Sequence, residues 1–108
     1  MKDPMWTLTE GVALCQELDP LLRSYNAFIA LSGSVLHKGW STKDLDLVII
    51  PLKQTCSVEQ HVAICRIFAN RFKFMGVCNT AKYGDDKYVE KYQTKDEKRI
   101  DVLFLKLE

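Results

Sequence analysis

Three carboxylates stand where charge is least expected. Asp44 and Asp46 open the run Asp44-Leu45-Asp46-Leu47-Val48-Ile49-Ile50, and Asp101 lies between Ile100 and Val102 in a later apolar run. In an extended strand, residues two apart project from the same face about 6.5–7 Å from each other, so Asp44 and Asp46 stand side by side. Like charges so placed repel, and burial raises the pKa of each unless a cation lies between them. A divalent metal is the economical remedy. Magnesium, or manganese in its place, takes oxygen ligands and is held by one or two carboxylates together with phosphate oxygens. With Asp101 from a neighbouring strand, the acids make a site for two metals about 3.5–4 Å apart, able to clamp both oxygens of a phosphoryl transfer. Taken singly, Asp44 reads as a turn residue and Asp46 or Asp101 as part of a solvated face. Taken together, they favour metal chemistry.

Upstream, Gly33-Ser34 closes the apolar run Ala27 to Leu31. Glycine allows a backbone to approach a ligand closely, and a short helix starting at Val35 would aim free amides and a positive dipole end at an anion. The stretch from Ser32 to Leu47 therefore reads as a phosphate cradle followed by a metal-binding strand. Among the other candidates, His37 reads as a surface loop residue and His61 as structural. Trp40 suits either stacking on a base or covering the edge of a core.

The elements that must position these residues alternate along the chain. Thr7 and Glu10 form a capping-box pattern, followed by Leu8, Val12, Cys15, Leu18 and Leu22 at helical spacing, with Asp19-Pro20 predicting a kink or restart. Ala27 to Leu31 reads as a strand buried on both faces, and Leu45 to Ile50 as a second strand stopped by Pro51. Ser57 and Gln60 cap a second helix carrying Ile64, Ile67, Phe68 and Phe72. Lys73 to Thr80 reads as a strand, and Tyr88 to Gln93 with Arg99 to Leu105 as a hairpin across the polar turn Thr94 to Lys98. Lys82, Lys87, Lys91, Lys95, Lys98 and Arg99 look like a basic tract, but Asp85, Asp86, Glu90, Asp96 and Glu97 nearly balance them, which predicts a solvated hairpin.

Composition sets the outer limits. A chain of 108 residues, 47% hydrophobic and 27% charged, predicts one domain over 1–108 that buries roughly two-thirds of its unfolded surface. A formal charge of +1 lacks the basic excess that drives strong non-specific DNA or RNA binding. Cys15, Cys56, Cys65 and Cys78 show neither CxxC spacing nor zinc-type pairing with histidine, and no apolar leader precedes them. They read as reduced thiols of a cytoplasmic protein, with a disulfide framework as the alternative. No apolar run approaches the roughly 20 residues that cross a bilayer.

The order Ser32-Gly33-Ser34, nine residues from Val35 to Lys43, then Asp44-Leu45-Asp46-Leu47, and finally Ile100-Asp101-Val102 resembles the signature of the polymerase β-like nucleotidyltransferase superfamily. The resemblance covers about residues 26 to 105. Two departures stand out: Ser32 replaces an apolar residue, and His37-Lys38-Gly39 stands where small stand-alone members carry Arg-Gly. Lys38 would supply positive charge to a triphosphate without the planar bidentate fork of arginine. The resemblance implies an α+β palm-like fold, a mixed sheet of four to five strands with helices on one face. It implies transfer of a nucleoside monophosphate from a nucleoside triphosphate to a hydroxyl of a protein, an RNA end or a small molecule, with pyrophosphate released. Asp44 and Asp46 would bind the metals, and Asp101 would bind the catalytic metal and orient or deprotonate the acceptor. Gly33, Ser34 and Lys38 would hold the triphosphate. The helical second domain of many relatives is missing from this stretch, so a separate helical partner protein or an RNA acceptor is expected. Two other readings remain: a degenerate relative that binds nucleotide or a partner without catalysis, and an interaction domain whose acids are surface charge.

Overall fold

A computed structural model describes residues 5–78, 87–105 and 107. The elements run in the order β1 (Trp6–Thr7), α1 (Leu8–Arg23), β2 (Ala27–Ser32), α2 (Gly33–Lys38), β3 (Trp40–Ser41), β4 (Asp44–Pro51), α3 (Val58–Arg71), β5 (Lys73–Cys78), β6 (Lys87–Gln93) and β7 (Arg99–Leu105). Five strands form a mixed sheet in the order β2-β4-β7-β6-β5, in which only β4 and β7 are parallel neighbours. This is the expected α+β architecture.

Both capping boxes form. Thr7 accepts from the Glu10 amide while Glu10 reaches back to the Thr7 amide, and Ser57 and Gln60 do the same at the start of α3. Such reciprocal caps satisfy amide donors that a helix start leaves orphaned. Behind them, Leu18 and Leu22 of α1 and Ile64 and Phe68 of α3 are fully buried against one face of the sheet. That face is built by alternation: Leu45, Leu47 and Ile49 of β4 pack beside Ile100, Val102 and Phe104 of β7. The intervening residues, Asp44, Asp46 and Asp101 among them, consequently point to the face without helices.

Three expectations of local structure are corrected. α1 runs through Asp19-Pro20 without interruption. Proline removes one amide there, but only three residues of helix follow, and burial of Leu18 and Leu22 on either side offsets a cost of about 3 kcal/mol. The Asp19–Arg23 ion pair, 2.7 Å long, also spans the site. β2 is an edge strand in which only Ala27 is fully buried, because α1 covers one of its faces and, among the described residues, no strand lies beyond it. α2 starts at Gly33 rather than Val35, so His37 is an exposed residue of its last turn and not of a loop.

The predicted hairpin forms as β6 and β7, closed by the Thr94 amide donating to the Lys98 carbonyl at 2.8 Å. It is solvated only in part: Lys95, Asp96, Glu97 and Arg99 are exposed, but others of its charges are engaged. Glu90 is 4% exposed, Lys98 bonds Glu10 at 2.6 Å and lies over the Trp6 ring, and Lys91 and Arg99 pair with acids discussed below. Lys82, Asp85, Asp86 and the end of the predicted strand at Thr80 lie outside the described residues. All four cysteines are thiols.

Candidate active site

The parallel pairing of β4 with β7 sets Asp46 directly opposite Asp101, and the flanking antiparallel pairings extend that row to Ser32 on β2 and Lys91 on β6. Asp44 lies two residues before Asp46 on the same face. The three acids, Asp101 more than fifty residues along the chain from the other two, therefore share one end of the open face. Together with Ser34, Lys38 and Trp40 they line a cleft of about 400 Å³. Gly33 lines an adjoining groove with Ser32, Asp46 and Asp101. Every residue singled out from the sequence for this chemistry is thus brought to one place.

The acids crowd one another. Burial first, and then the charges of Asp101 and Asp44, raise the pKa of Asp46 to about 6 against an opposing effect of Lys91. Asp101, only 8% exposed, is also pushed up, first by burial and then by Asp44, with Lys91 and Arg99 pulling the other way. Two cations temper the cluster: Lys91 Nζ lies 3.3 Å from Asp101 Oδ1, and Arg99 Nε lies 3.4 Å from Asp44 Oδ1. Lys91 is the site residue that reading the chain as balanced charge missed. Its signal was positional: Lys91 alternates with Glu90 and Tyr92 across the strand, and the register of the hairpin sets it beside Asp101.

Gly33 has a role that only the coordinates define. Its φ is +65°, and a Cβ built there would lie 2.0 Å from Asp46 Oδ2. Any side chain would occupy the carboxylate's own space, in a backbone conformation that L-residues rarely adopt. The turn is pressed against the acid. At the other end of α2, left-handed Gly39 closes the helix with its amide on the Val35 carbonyl at 3.0 Å. This sends the chain into Trp40–Ser41, which pairs with Trp6–Thr7 in a two-stranded ribbon that the sequence did not suggest. The ribbon holds Trp40 half-exposed at the cleft, with Lys38 Nζ 5.6 Å from its ring centroid.

The donor set can be tested against a divalent cation. Three carboxylates supply only hard oxygen ligands, they repel one another as they stand, and the glycine turn keeps the space beside Asp46 free of side chains. These features fit a magnesium or manganese ion.

Comparison with solved structures agrees on the fold. A cytoplasmic RNA terminal U-transferase superposes with a TM-score of 0.58 at 16% identity, over 90% of this chain and 28% of that one. The Cid1 poly(U) polymerase superposes with a TM-score of 0.65 at 17% identity in its complex with magnesium and 3′-dATP, over 90% of this chain and 30% of that one. In its MgGTP complex it superposes with a TM-score of 0.63 at 19% identity, over 90% and 32% respectively. No family model and no curated protein sequence matches the chain. The fold is that of the polymerase β-like nucleotidyltransferases, and the chain spans under a third of the length of these structures. Among the described residues, no helix is long and apolar enough to cross a membrane.

Proposed function

We propose that this chain is the catalytic domain of a metal-dependent nucleotidyltransferase that adds a nucleoside monophosphate to the 3′-hydroxyl of an RNA. One observation carries the reading: Asp46 and Asp101 are register partners on parallel strands, with Asp44 beside them and a glycine turn pressed on Asp46. Purely structural acids would be dispersed, or relieved by their cations, whereas here Lys91 and Arg99 lie beside Asp101 and Asp44 and the pKa of Asp46 still stands at about 6. The acids are gathered on the face without helices, at the cost of mutual repulsion. The RNA acceptor is supported by the names of the structural neighbours, an RNA terminal U-transferase and a poly(U) polymerase.

Asp44 and Asp46 would hold magnesium or manganese, and Asp101 would complete the set. The bound metal supplies charge stabilisation at the phosphates and at the attacking and leaving oxygens. Ser34 and the Gly33 backbone bind and orient the triphosphate, and Lys38 provides a point charge at the cleft wall. Asp101 would orient the acceptor hydroxyl or take up its proton. The acceptor oxygen bonds to the α-phosphorus as the bond from that phosphorus to the bridging oxygen breaks, and pyrophosphate leaves. Trp40 offers an exposed ring for the base at the mouth of the cleft.

A second reading, nucleotide binding without transfer, draws on the Lys91–Asp101 contact, which already places a cation beside the third acid. Turnover separates the two. The protein is incubated with magnesium, each α-labelled triphosphate and an oligoribonucleotide bearing a free 3′-hydroxyl. Label at the 3′ end is expected. Label on protein or on a small molecule in an added cell extract redirects the acceptor, and absence of label from every acceptor overturns transfer.

A further inference from the structure

On the helix-covered side of the sheet, three metal-ligating side chains converge without any part in the cleft. His61 and Cys65, four residues apart, lie on the same face of α3, and β6 places Glu90 against them. His61 Nε2 lies 2.9 Å from Glu90 Oε2, and Cys65 Sγ lies 3.0 Å from each Glu90 oxygen. The three ligand atoms all fall within 4.8 Å of one another.

The surroundings are ordered as a metal site requires. Tyr92 donates its hydroxyl proton to Glu90 Oε1 at 2.6 Å, which fixes the carboxyl group and leaves Oε2 facing the imidazole. Phe104 and Tyr88 hold the His61 ring edge-on, with centroids 4.6 and 5.1 Å away. Partners outside the ligand shell that fix orientation in this way are characteristic of functional metal centres. The side chain of His61 is 22% exposed while that of Glu90 is 5% exposed, so an ion can enter past the imidazole.

We infer that His61, Cys65 and Glu90 form a zinc site that pins α3 to β6, distinct from the carboxylate cleft on the opposite face of the sheet. The donor set decides the metal. One nitrogen, one sulfur and one oxygen match the borderline-soft, tetrahedral preference of Zn²⁺, whereas magnesium takes oxygen alone. Zinc bonds of about 2.0–2.3 Å place tetrahedral ligands roughly 3.3–3.8 Å apart, so the observed spacing needs small adjustments. Binding replaces the S–H bond of Cys65 by a zinc–sulfur bond and releases one proton. The thiolate and carboxylate then balance the dication, and water completes the fourth position.

Cobalt(II) distinguishes this site from the cleft, because only thiolate ligation gives a near-ultraviolet sulfur-to-cobalt charge-transfer band. Titrating the full chain with Co²⁺ should produce that band at one equivalent, and Zn²⁺ should displace it. The band should persist in Asp46→Asn and Asp101→Asn, disappear in Cys65→Ser, and require at least ~10-fold more cobalt in Tyr92→Phe, the scale of losing an orienting partner. Zn²⁺ should also raise the melting temperature of the parent and not of Cys65→Ser. If circular dichroism shows Cys65→Ser unfolded, His61→Gln decides, since its partly exposed position spares the core. A parent chain without the band, or a band that survives in whichever of these two variants folds, overturns the site.

Discussion

Glu90 and Lys91 are neighbours on β6, yet they serve opposite faces of the sheet under opposite electrostatic regimes. On the covered face, the Glu90 carboxyl group lies among Tyr92, His61 and Cys65, and each of its close polar neighbours is able to donate a hydrogen bond. On the open face, Lys91 and Arg99 face three acids that repel one another, and the pKa of Asp46 stands at about 6. Buried polar groups normally find partners, and among the described residues no buried side-chain nitrogen or oxygen lacks one. The difference lies in what the partners do. Around Glu90 they stabilise the carboxyl group, whereas around Asp46 the strongest neighbours are like charges. A satisfied acid can serve as structure alone, and a crowded one stores repulsion that an arriving cation releases.

The largest expected effect separates acids within the open face. Asp101→Asn should keep most metal-dependent nucleotide binding but lower turnover by at least ~10², the scale of losing an acid–base group. Asp46→Asn should weaken nucleotide binding and activity together, because the triphosphate's metal would lose an anchor. Asparagine nearly preserves shape, so a packing defect does not mimic either result. Full transferase activity in Asp101→Asn would remove that residue from the catalytic set, and with it the claim that the open face is the working one.

Next in size is Gly33→Val. The new Cβ meets Asp46 Oδ2 at 2.0 Å and is forced onto a backbone with φ of +65°, so the turn must move off the acid. The variant should lose nucleotide binding, measured as the thermal shift with magnesium and triphosphate together, while its unliganded stability falls by about 1–3 kcal/mol. The parent should be stabilised more by the pair of ligands than by either alone. A variant that binds nucleotide normally would show the glycine to be an ordinary turn residue and the contact with Asp46 incidental.

How much of this contrast could be read from the chain depends on whether the signal was local. The two capping boxes, Gly33-Ser34, the Asp44-x-Asp46 alternation and the hairpin turn are short-range patterns, and the structure forms each where it was expected. Asp101 was legible because an acid flanked by Ile100 and Val102 has few uses on a strand. What escaped was set by distant pairing. Trp6 meets Ser41 and Thr7 meets Trp40 in strands of two residues, too short for any periodicity to register. Pro20 stayed in the helix because Leu18 and Leu22 were drawn into the core, a tertiary effect that outweighs a local propensity. Glu90 and Lys91 both fall in the tract whose nearly balanced charge predicts a solvated hairpin, although Tyr88-x-Glu90-x-Tyr92 carries a period-two hint that Glu90 faces inward with the tyrosines. Alternation sets the two on opposite faces, and the register with β7 decides which of them stands beside Asp101.

The smallest effect, that of Asp46, belongs to the most direct test of the contrast, which asks whether each acid stabilises or burdens the metal-free protein. Glu90→Leu should destabilise by about 2–4 kcal/mol, since removing the carboxyl group strands the buried hydroxyl of Tyr92 and the groups of His61 and Cys65. Asp46→Asn should do the reverse. The folded pKa of Asp46, about 6, lies above its ordinary value of 3.8, so native protein retains a proton over a range where the unfolded chain has lost it. The burden is therefore absent below about pH 4, grows as pH rises through that window, and is complete above about pH 6. Denaturant titrations without metal should give parent and Asp46→Asn equal stability near pH 4. At pH 7 the variant should be the more stable by on the order of 1–2 kcal/mol, less than full linkage predicts because solvent reaches the carboxylate. Magnesium with triphosphate should invert that order, since the parent binds them more tightly than the variant does. Curves that stay parallel from pH 4 to pH 7 would mean that neither burial nor the neighbouring acids burden the Asp46 carboxylate, and the two faces of the sheet would then differ in composition but not in electrostatic design.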